Sequence, residues 1–138
     1  MPTLVVIGNP TARRFEGTVD AALREAARAG RDARVVPTTP SDAGAGQARD
    51  AVASGADAVV AIGGDGTVRE VAAVLAGTGI PLGIVPVGTA NLFARNLDLP
   101  LRDAEAAARI AVSGTTAPVD LGRVVLTRAD GTREPEQP

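Results

Sequence analysis

The chain has 138 residues, of which 45% are hydrophobic and 22% are charged, and its formal net charge is −2. This length and balance predict a single globular domain with its own core and no strongly basic surface for a polyanion. Aromatic residues make up 1% of the sequence, which leaves no platform for stacking bases, so we expect no nucleic-acid partner.

The chain contains no cysteine, histidine or lysine. The absence of histidine excludes a Ser-His-Asp triad, and the absence of lysine excludes a Walker A loop and the strand lysine of a protein kinase. No apolar run approaches the roughly 20 residues that cross a bilayer, and no signal peptide is recognisable. We therefore expect a cytoplasmic protein without a transmembrane segment.

Short runs rich in β-branched residues alternate along the chain with segments of helical spacing. Strands are predicted at residues 3–8, 33–37, 57–63, 81–88 and 118–126. Helices are predicted at residues 16–30, 41–53, 67–77 and 101–113, with a helical turn at 89–96. Ser41 is the expected cap of the second helix. The alternation predicts an α/β fold, with a doubly wound, mostly parallel sheet and helices on both faces.

The domain boundaries follow from the same pattern. We assign residues 1–117 to the α/β domain, residues 118–126 to a strand that leads out of it, and residues 127–138 to a disordered tail. Because little chain remains to pair with the last strand, we expect it to be an exposed edge that favours a homodimer.

The sequence GGDGT at residues 63–67 joins the third predicted strand to a helix. Its glycines, Gly63, Gly64 and Gly66, permit positive φ and let a ligand approach bare backbone. A helix start presents N–H groups that suit phosphate oxygens, and open α/β sheets bind ligands beyond the carboxyl ends of their strands. The turn therefore predicts a site for nucleotide phosphates.

Asp65 in the middle of this turn would repel a phosphate. The conflict disappears if Mg²⁺ bridges the two groups, or if Asp65 binds a ribose hydroxyl. The alternative interpretation is structural: Thr67 and Glu70 form a capping box, T-x-x-E, and the glycines only make a tight turn.

A second turn of the same design lies within residues 85–100, VPVGTANLFARNLDLP. Gly88 follows a predicted strand, and Thr89 and Asn91 open a helix. Two such turns at adjacent strand ends can line one crevice from both sides. The structural alternatives are an ordinary helix cap for Asn91 and a solvated surface arginine for Arg95.

Two more strand ends fall on the same predicted edge. Asn9 and Pro10 end the first strand, and Thr38 and Thr39 end the second. Taken alone, either threonine is better explained by a turn or cap role.

The combination of GGDGTVREV with PVGTANLFARNL resembles the diacylglycerol kinase catalytic domain, which bacterial lipid kinases, sphingosine kinases and ceramide kinases share. GGDG alone also occurs in NAD kinases and phosphofructokinases, and the P-x-G-T-x-N motif favours the lipid-kinase branch. The resemblance extends from residue 3 to about residue 126, nearly the whole chain.

The resemblance implies that ATP lies across the strand ends and that Asp65 is the acid linked to Mg²⁺-ATP. It implies phosphate contacts at residues 64–70, a nucleotide contact at Thr38 or Thr39, and another at Thr89. The full set of expected ATP-binding residues is Asn9, Pro10, Thr38, Thr39, Gly63, Gly64, Asp65, Gly66, Thr67, Glu70, Gly88, Thr89 and Asn91.

The chain departs from the family pattern at three points. The first turn of family members is often N-P-x-S-G, whereas this chain has NPTARR, which weakens the case for a phosphate contact after Asn9. Leu92 stands where the family often has an acid. Members usually continue, after a segment resembling VDLGRV, into a β-rich second domain that completes the lipid cleft and supplies the general base. No residue here matches that base.

We therefore predict the ATP-binding domain of a lipid kinase, which phosphorylates a lipid hydroxyl when a second domain complements it. Contact with a membrane would then be peripheral. Two alternatives stay open: a non-catalytic nucleotide-binding or interaction module, and a small-molecule kinase of the NAD kinase type.

Overall fold

The structure, a computed structural model, describes residues 3–88 and 90–114, with the side chain of Phe93 excepted. The predicted strand at 118–126, the predicted tail at 127–138 and the predicted ligand contact of Thr89 lie outside the described residues.

Strands and helices alternate through the described part of the chain. The strands are β1 (Thr3–Gly8), β2 (Asp32–Pro37), β3 (Ala58–Gly63) and β4 (Leu82–Pro86). The helices are α1 (Phe15–Arg28), α2 (Ala45–Ala53), α3 (Asp65–Leu75), α4 (Leu92–Asn96) and α5 (Ala104–Ser113). None of these helices is long and apolar enough to cross a membrane.

The four strands form one sheet in the order β2-β1-β3-β4, and every pair is parallel. The chain moves from β1 outward to β2, then crosses back past β1 to β3 and continues to β4. Such crossovers need intervening helices, which α1, α2 and α3 provide. The predicted α/β fold with a parallel sheet is confirmed.

Helices cover both faces of the sheet, and alternate residues of β1 divide between two cores. Leu4 and Val6 belong to the core that includes α1 and α5, whereas Val5 and Ile7 belong to the core that includes α2 and α3. All four side chains are completely buried. A parallel strand covered on both faces is apolar at every position, which explains why β1 lacks the polar alternation of a half-exposed strand.

The start of α2 differs from the prediction. The helix begins at Ala45, and Ser41 does not cap it. Asp42 takes that part instead, since its Oδ1 accepts the N–H groups of Gly46 at 2.9 Å and of Gly44 at 3.3 Å. Sequence reasoning passed over Asp42, although aspartate before a helix is as good a cap as serine.

Candidate functional site

The four parallel strands end at one side of the sheet, which we call the carboxyl edge. Gly8 at the end of β1 pairs in register with Pro37 of β2 and Ile62 of β3, and Gly63 pairs with Pro86 of β4. The direction of winding reverses between β1 and β3. Open α/β sheets bind ligands in the crevice at such a reversal, beyond the strand ends. The carboxyl edge is therefore the candidate site.

None of the glycines in the β3–α3 turn adopts positive φ, so the left-handed conformation does not explain why glycine stands there. Gly64 precedes the helix, with φ −93° and ψ −168°. A Cβ at Gly63 would lie 2.8 Å from the Cβ of Thr67, and a Cβ at Gly64 would lie 3.2 Å from the Cα of Gly88. A Cβ at Gly66 would meet no atom of the described residues within 4 Å. Packing thus excludes a side chain at Gly63 and leaves little room for one at Gly64, whereas no described atom stands against one at Gly66.

The turn after β4 packs directly on the turn after β3. The N–H of Val87 donates to the carbonyl oxygen of Gly63 at 3.1 Å. A Cβ at Gly88 would lie 2.5 Å from the Cα of Gly64, so only bare backbone fits between the turns. The two glycine turns, which the sequence predicted at adjacent strand ends, are therefore in direct contact with each other.

Asn91 closes the second turn with its side chain. Its Oδ1 accepts the N–H of Gly88 at 3.0 Å, and its Nδ2 donates to the carbonyl of Gly88 at 2.9 Å. The residue is buried and has φ +51°, a conformation that asparagine tolerates better than most residues. The interpretation of Asn91 as an ordinary side-chain cap of α4 is wrong, because both groups of its amide are bonded to Gly88.

Arg95 is exposed, as the alternative interpretation expected, but it is attached to the same turn. Its Nε donates to the carbonyl oxygen of Ala90 at 2.8 Å. The guanidinium is therefore held beside the second turn.

Asp65 connects the two turns. Its Oδ2 accepts the N–H of Leu92, the first residue of α4, at 2.9 Å. Asp65 is also the first residue of α3, where a carboxylate is favoured by the helix dipole.

The capping box that the sequence offered as an alternative is not formed. Gly64 is the residue before α3, and Thr67 is already the third residue of that helix. Thr67 therefore cannot be the N-cap that a capping box requires. Glu70 lies in the second turn of α3, with its Oε1 at 3.8 Å from the guanidinium of Arg69.

The turn after β1 is organised around Asn9. Its Oδ1 accepts the backbone N–H of Thr11 at 2.9 Å and the hydroxyl of Thr11 at 2.7 Å. This is an Asx turn, in which the side chain imitates a backbone turn. Pro10 is exposed beside it. Both residues lie at the carboxyl edge, as predicted.

The turn after β2 rests on α3. Thr38 is buried, and its N–H donates to the last carbonyl of β1 at 2.8 Å. Thr39 is exposed and exchanges two backbone hydrogen bonds with Asp42, of 2.9 and 3.1 Å. Gly44 has φ +136°, and a Cβ there would lie 2.9 Å from Cγ2 of Val71. This contact brings the turn that carries both threonines against the helix of the GGDGT turn.

A cleft of about 300 Å³ opens between α1, β4 and α5. Its lining is mainly apolar, with Val85, Val87 and Leu101, and includes the side chains of Arg14 and Arg102. Among the residues that the structure describes, none of those predicted from the motifs lines this cleft, although its lining includes Val87 of the second turn.

The fold and the candidate site define a doubly wound α/β domain whose two glycine turns meet at the carboxyl edge. The family model for the diacylglycerol kinase catalytic domain matches residues 3–124. The chain therefore belongs to the diacylglycerol kinase catalytic domain family.

Named relatives agree with this membership. The chain is 55% identical to a diacylglycerol kinase of Mycobacterium tuberculosis (strain ATCC 25618 / H37Rv) over 74 residues, which are 54% of this chain and 24% of that protein. It is 36% identical to a diacylglycerol kinase of Bacillus subtilis (strain 168) over 123 residues, which are 86% of this chain and 41% of that protein.

A solved structure supports the fold. A diacylglycerol kinase from Bacillus anthracis str. Sterne superposes with a TM-score of 0.70 and 32% sequence identity, and the match covers 85% of this chain and 41% of that chain. This chain thus spans less than half the length of the relatives it matches.

Proposed function

We propose that this chain is the ATP-binding domain of a lipid kinase, which transfers the γ-phosphoryl group of ATP to a hydroxyl of a lipid such as diacylglycerol. The observation that carries the proposal is the contact between the two glycine turns at the carboxyl edge, in a chain of the diacylglycerol kinase family. Because the chain spans 41% of its Bacillus subtilis relative, we assign the lipid cleft and the general base to a second domain and no catalytic residue to this chain.

The ATP site comprises all the strand ends of the carboxyl edge. We assign ATP binding to Asn9, Pro10, Thr38, Thr39, Gly63, Gly64, Asp65, Gly66, Thr67, Glu70, Gly88, Thr89 and Asn91. The position of Thr89 rests on its motif alone, since the residue lies outside the described part of the chain. Gly63, Thr38 and Asn91 contribute through the shape of their turns, because their packing and hydrogen bonds already define those turns.

The phosphates are best placed against the first turn of α3. This helix has 11 residues, and the N–H groups of its first turn lack partners within the helix. The helix dipole adds a positive potential there, which favours phosphate oxygens. Gly66 is exposed, and no atom of the described residues lies within 4 Å of the place its Cβ would take, which leaves the backbone open to a ligand at this point.

Mg²⁺ fits this site as an ion that arrives with the nucleotide. Within residues 3–88 and 90–114, no group of three His, Cys, Asp or Glu side chains comes together to hold a metal. Mg²⁺ is commonly bound by one or two carboxylates together with substrate phosphates, and Asp65 supplies one carboxylate. When bound, the ion neutralises phosphate charge.

The reaction divides between this chain and the second domain. The lipid hydroxyl oxygen forms a bond to the γ-phosphorus, the bond from that phosphorus to the β,γ-bridging oxygen breaks, and ADP leaves. The hydroxyl proton passes to the general base. This chain binds and orients the triphosphate, which is the main protein contribution to phosphoryl transfer.

The relatives favour this function over a kinase of the NAD kinase type, since those quoted above are named diacylglycerol kinases. A non-catalytic nucleotide-binding module is the second candidate, because the chain spans less than half of these relatives. For the lipid kinase we propose a cytoplasmic location, peripheral contact with the membrane that holds the acceptor, and a homodimer as the assembly to test.

Calorimetric titration of the chain with ATP tests the proposal. We expect binding both with and without Mg²⁺, and tighter binding with the ion. Asp65→Asn should weaken the binding of Mg²⁺-ATP, because the carboxylate that holds the metal is lost. Binding of metal-free ATP should weaken much less, because the substitution also removes a negative charge that repels the phosphates. If the chain binds no ATP with or without Mg²⁺, the proposed function is refuted. If Asp65→Asn weakens ATP binding equally with and without Mg²⁺, the metal role of Asp65 is refuted.

A further inference from the structure

Asp65 lies in the first glycine turn of the sequence, but its side chain contacts the segment that follows the second turn. Its Oδ2 accepts the N–H of Leu92, 27 residues further along the chain, at 2.9 Å. We infer that Asp65 is a positioning residue, which fixes the start of α4 and thereby the turn closed by Gly88 and Asn91. The inference rests on the proposed function, which assigns the turn that Asp65 positions to the ATP site.

The need for this contact follows from the length of α4. The helix has five residues, too few to be stable alone. Its first N–H groups have no partner within the helix, and a cap normally comes from the side chain of the preceding residue. That residue is Asn91, whose side-chain amide is bonded to Gly88. Asp65 therefore supplies the cap from another segment of the chain.

The contact of Asp65 is distinct from the other links between the turns. The hydrogen bond from Val87 to Gly63 and the close approach of Gly64 and Gly88 are made by backbone at the strand ends. Only the Asp65 contact, among these three, reaches α4. Its loss should loosen α4 while the strand ends stay packed, so the effect should be local and should not unfold the domain.

Positioning and metal binding depend on different properties of this side chain. Metal binding needs the negative charge, whereas positioning needs an acceptor oxygen at the right place. Asparagine keeps an oxygen acceptor of nearly the same shape, and alanine removes it. Comparing Asp65→Asn with Asp65→Ala in the absence of metal therefore isolates the positioning role.

The experiment uses the whole chain and its Asp65→Asn, Asp65→Ala and Asp20→Ala variants. Asp20 is an exposed acid of α1 and controls for the change in charge. Amide hydrogen exchange at Leu92 is measured by NMR without ligand, and affinity for ADP is measured by calorimetry with excess EDTA. Exchange elsewhere in α3 and the sheet reports whether each variant is folded.

We expect Leu92 in Asp65→Asn to exchange within about threefold of the parent rate, and in Asp65→Ala to exchange at least tenfold faster. Metal-free ADP should bind Asp65→Asn at least as tightly as the parent, and Asp65→Ala about fivefold more weakly. Asp20→Ala should match the parent in both measurements.

Equal exchange of Leu92 in the Asn and Ala variants would overturn the inference, and so would equal affinity of these variants for metal-free ADP. If the parent binds no ADP, the proposed function fails and the assigned role in the ATP site fails with it. The ligand-free exchange at Leu92 still decides whether Asp65 holds α4, so the two failures are distinguishable.

Discussion

Within the described part of the chain, Gly66 has no neighbour that would exclude a side chain, unlike the other glycines of the β3–α3 turn. A Cβ at Gly63 would lie 2.8 Å from Thr67 and one at Gly64 would lie 3.2 Å from Gly88, whereas one at Gly66 would meet no described atom within 4 Å. Gly66 lies in the first turn of α3, and glycine in a helix is less stable than alanine by roughly 0.5–1 kcal/mol. A phosphate lying against the backbone would explain why a glycine stands there. The sequence predicted the glycine turn, but it could not tell which glycines serve packing.

We therefore expect Gly66→Ala to stabilise the fold by about 0.5 kcal/mol and to weaken ATP binding at least fivefold, because the added methyl group occupies the space next to the backbone. Urea unfolding and calorimetric titration measure the two effects. Gly17→Ala is a matched control, since Gly17 also lies early in a helix and its Cβ would meet no atom of the described residues within 4 Å. Unchanged ATP affinity in a stabilised Gly66→Ala protein would contradict the placement of the phosphates.

Secondary-structure elements were predictable where the local pattern alone determines them. β1 was predicted at its observed bounds and β3 to within one residue, because buried parallel strands appear as continuous apolar runs. The start of α2 was not predictable in this way. Ser41 and Asp42 are both residue types that cap helices, and the choice between them depends on the turn before α2, in which Thr39 and Asp42 exchange two backbone hydrogen bonds.

The assignment of Asp42 as the cap of α2 predicts how substitutions before this helix change the stability of the fold. Asp42→Ala should destabilise the fold by about 1 kcal/mol, because the N–H groups of Gly44 and Gly46 lose their acceptor. Asp42→Asn should retain most of the stability, since asparagine also caps helices well. Ser41→Ala should change the unfolding free energy by less than about 0.5 kcal/mol. Urea unfolding of the three variants decides between the two caps, and a larger loss in Ser41→Ala than in Asp42→Ala would reverse the assignment.

At the scale of the whole molecule, the sequence predicted which motifs share an edge but not how they touch. The strand order puts the turns after β3 and β4 side by side, and this much follows from a doubly wound sheet. The approach of Gly64 to Gly88 and the hydrogen bond from Leu92 to Asp65 join segments far apart in sequence. They depend on the register of β3 and β4, which no local pattern specifies. The acid that the sequence assigned to a metal thus also has a place in the packing of the site.

We proposed that this chain binds ATP and that a second domain supplies the lipid cleft and the general base. This division of roles predicts the catalytic behaviour of the isolated chain. Purified as a monomer, the chain should bind ATP yet transfer little or no phosphate to diacylglycerol in detergent micelles. Transfer needs an oriented acceptor and a group that removes its proton, and we assign both to the part of the relatives that this chain does not span. Incorporation of labelled phosphate into lipid is measured beside the Bacillus subtilis diacylglycerol kinase, which is 36% identical over the shared region. Transfer by the monomer at a rate comparable to that relative would show that residues 1–138 contain the acceptor site and the base, and the assignment of both to a second domain would then be wrong.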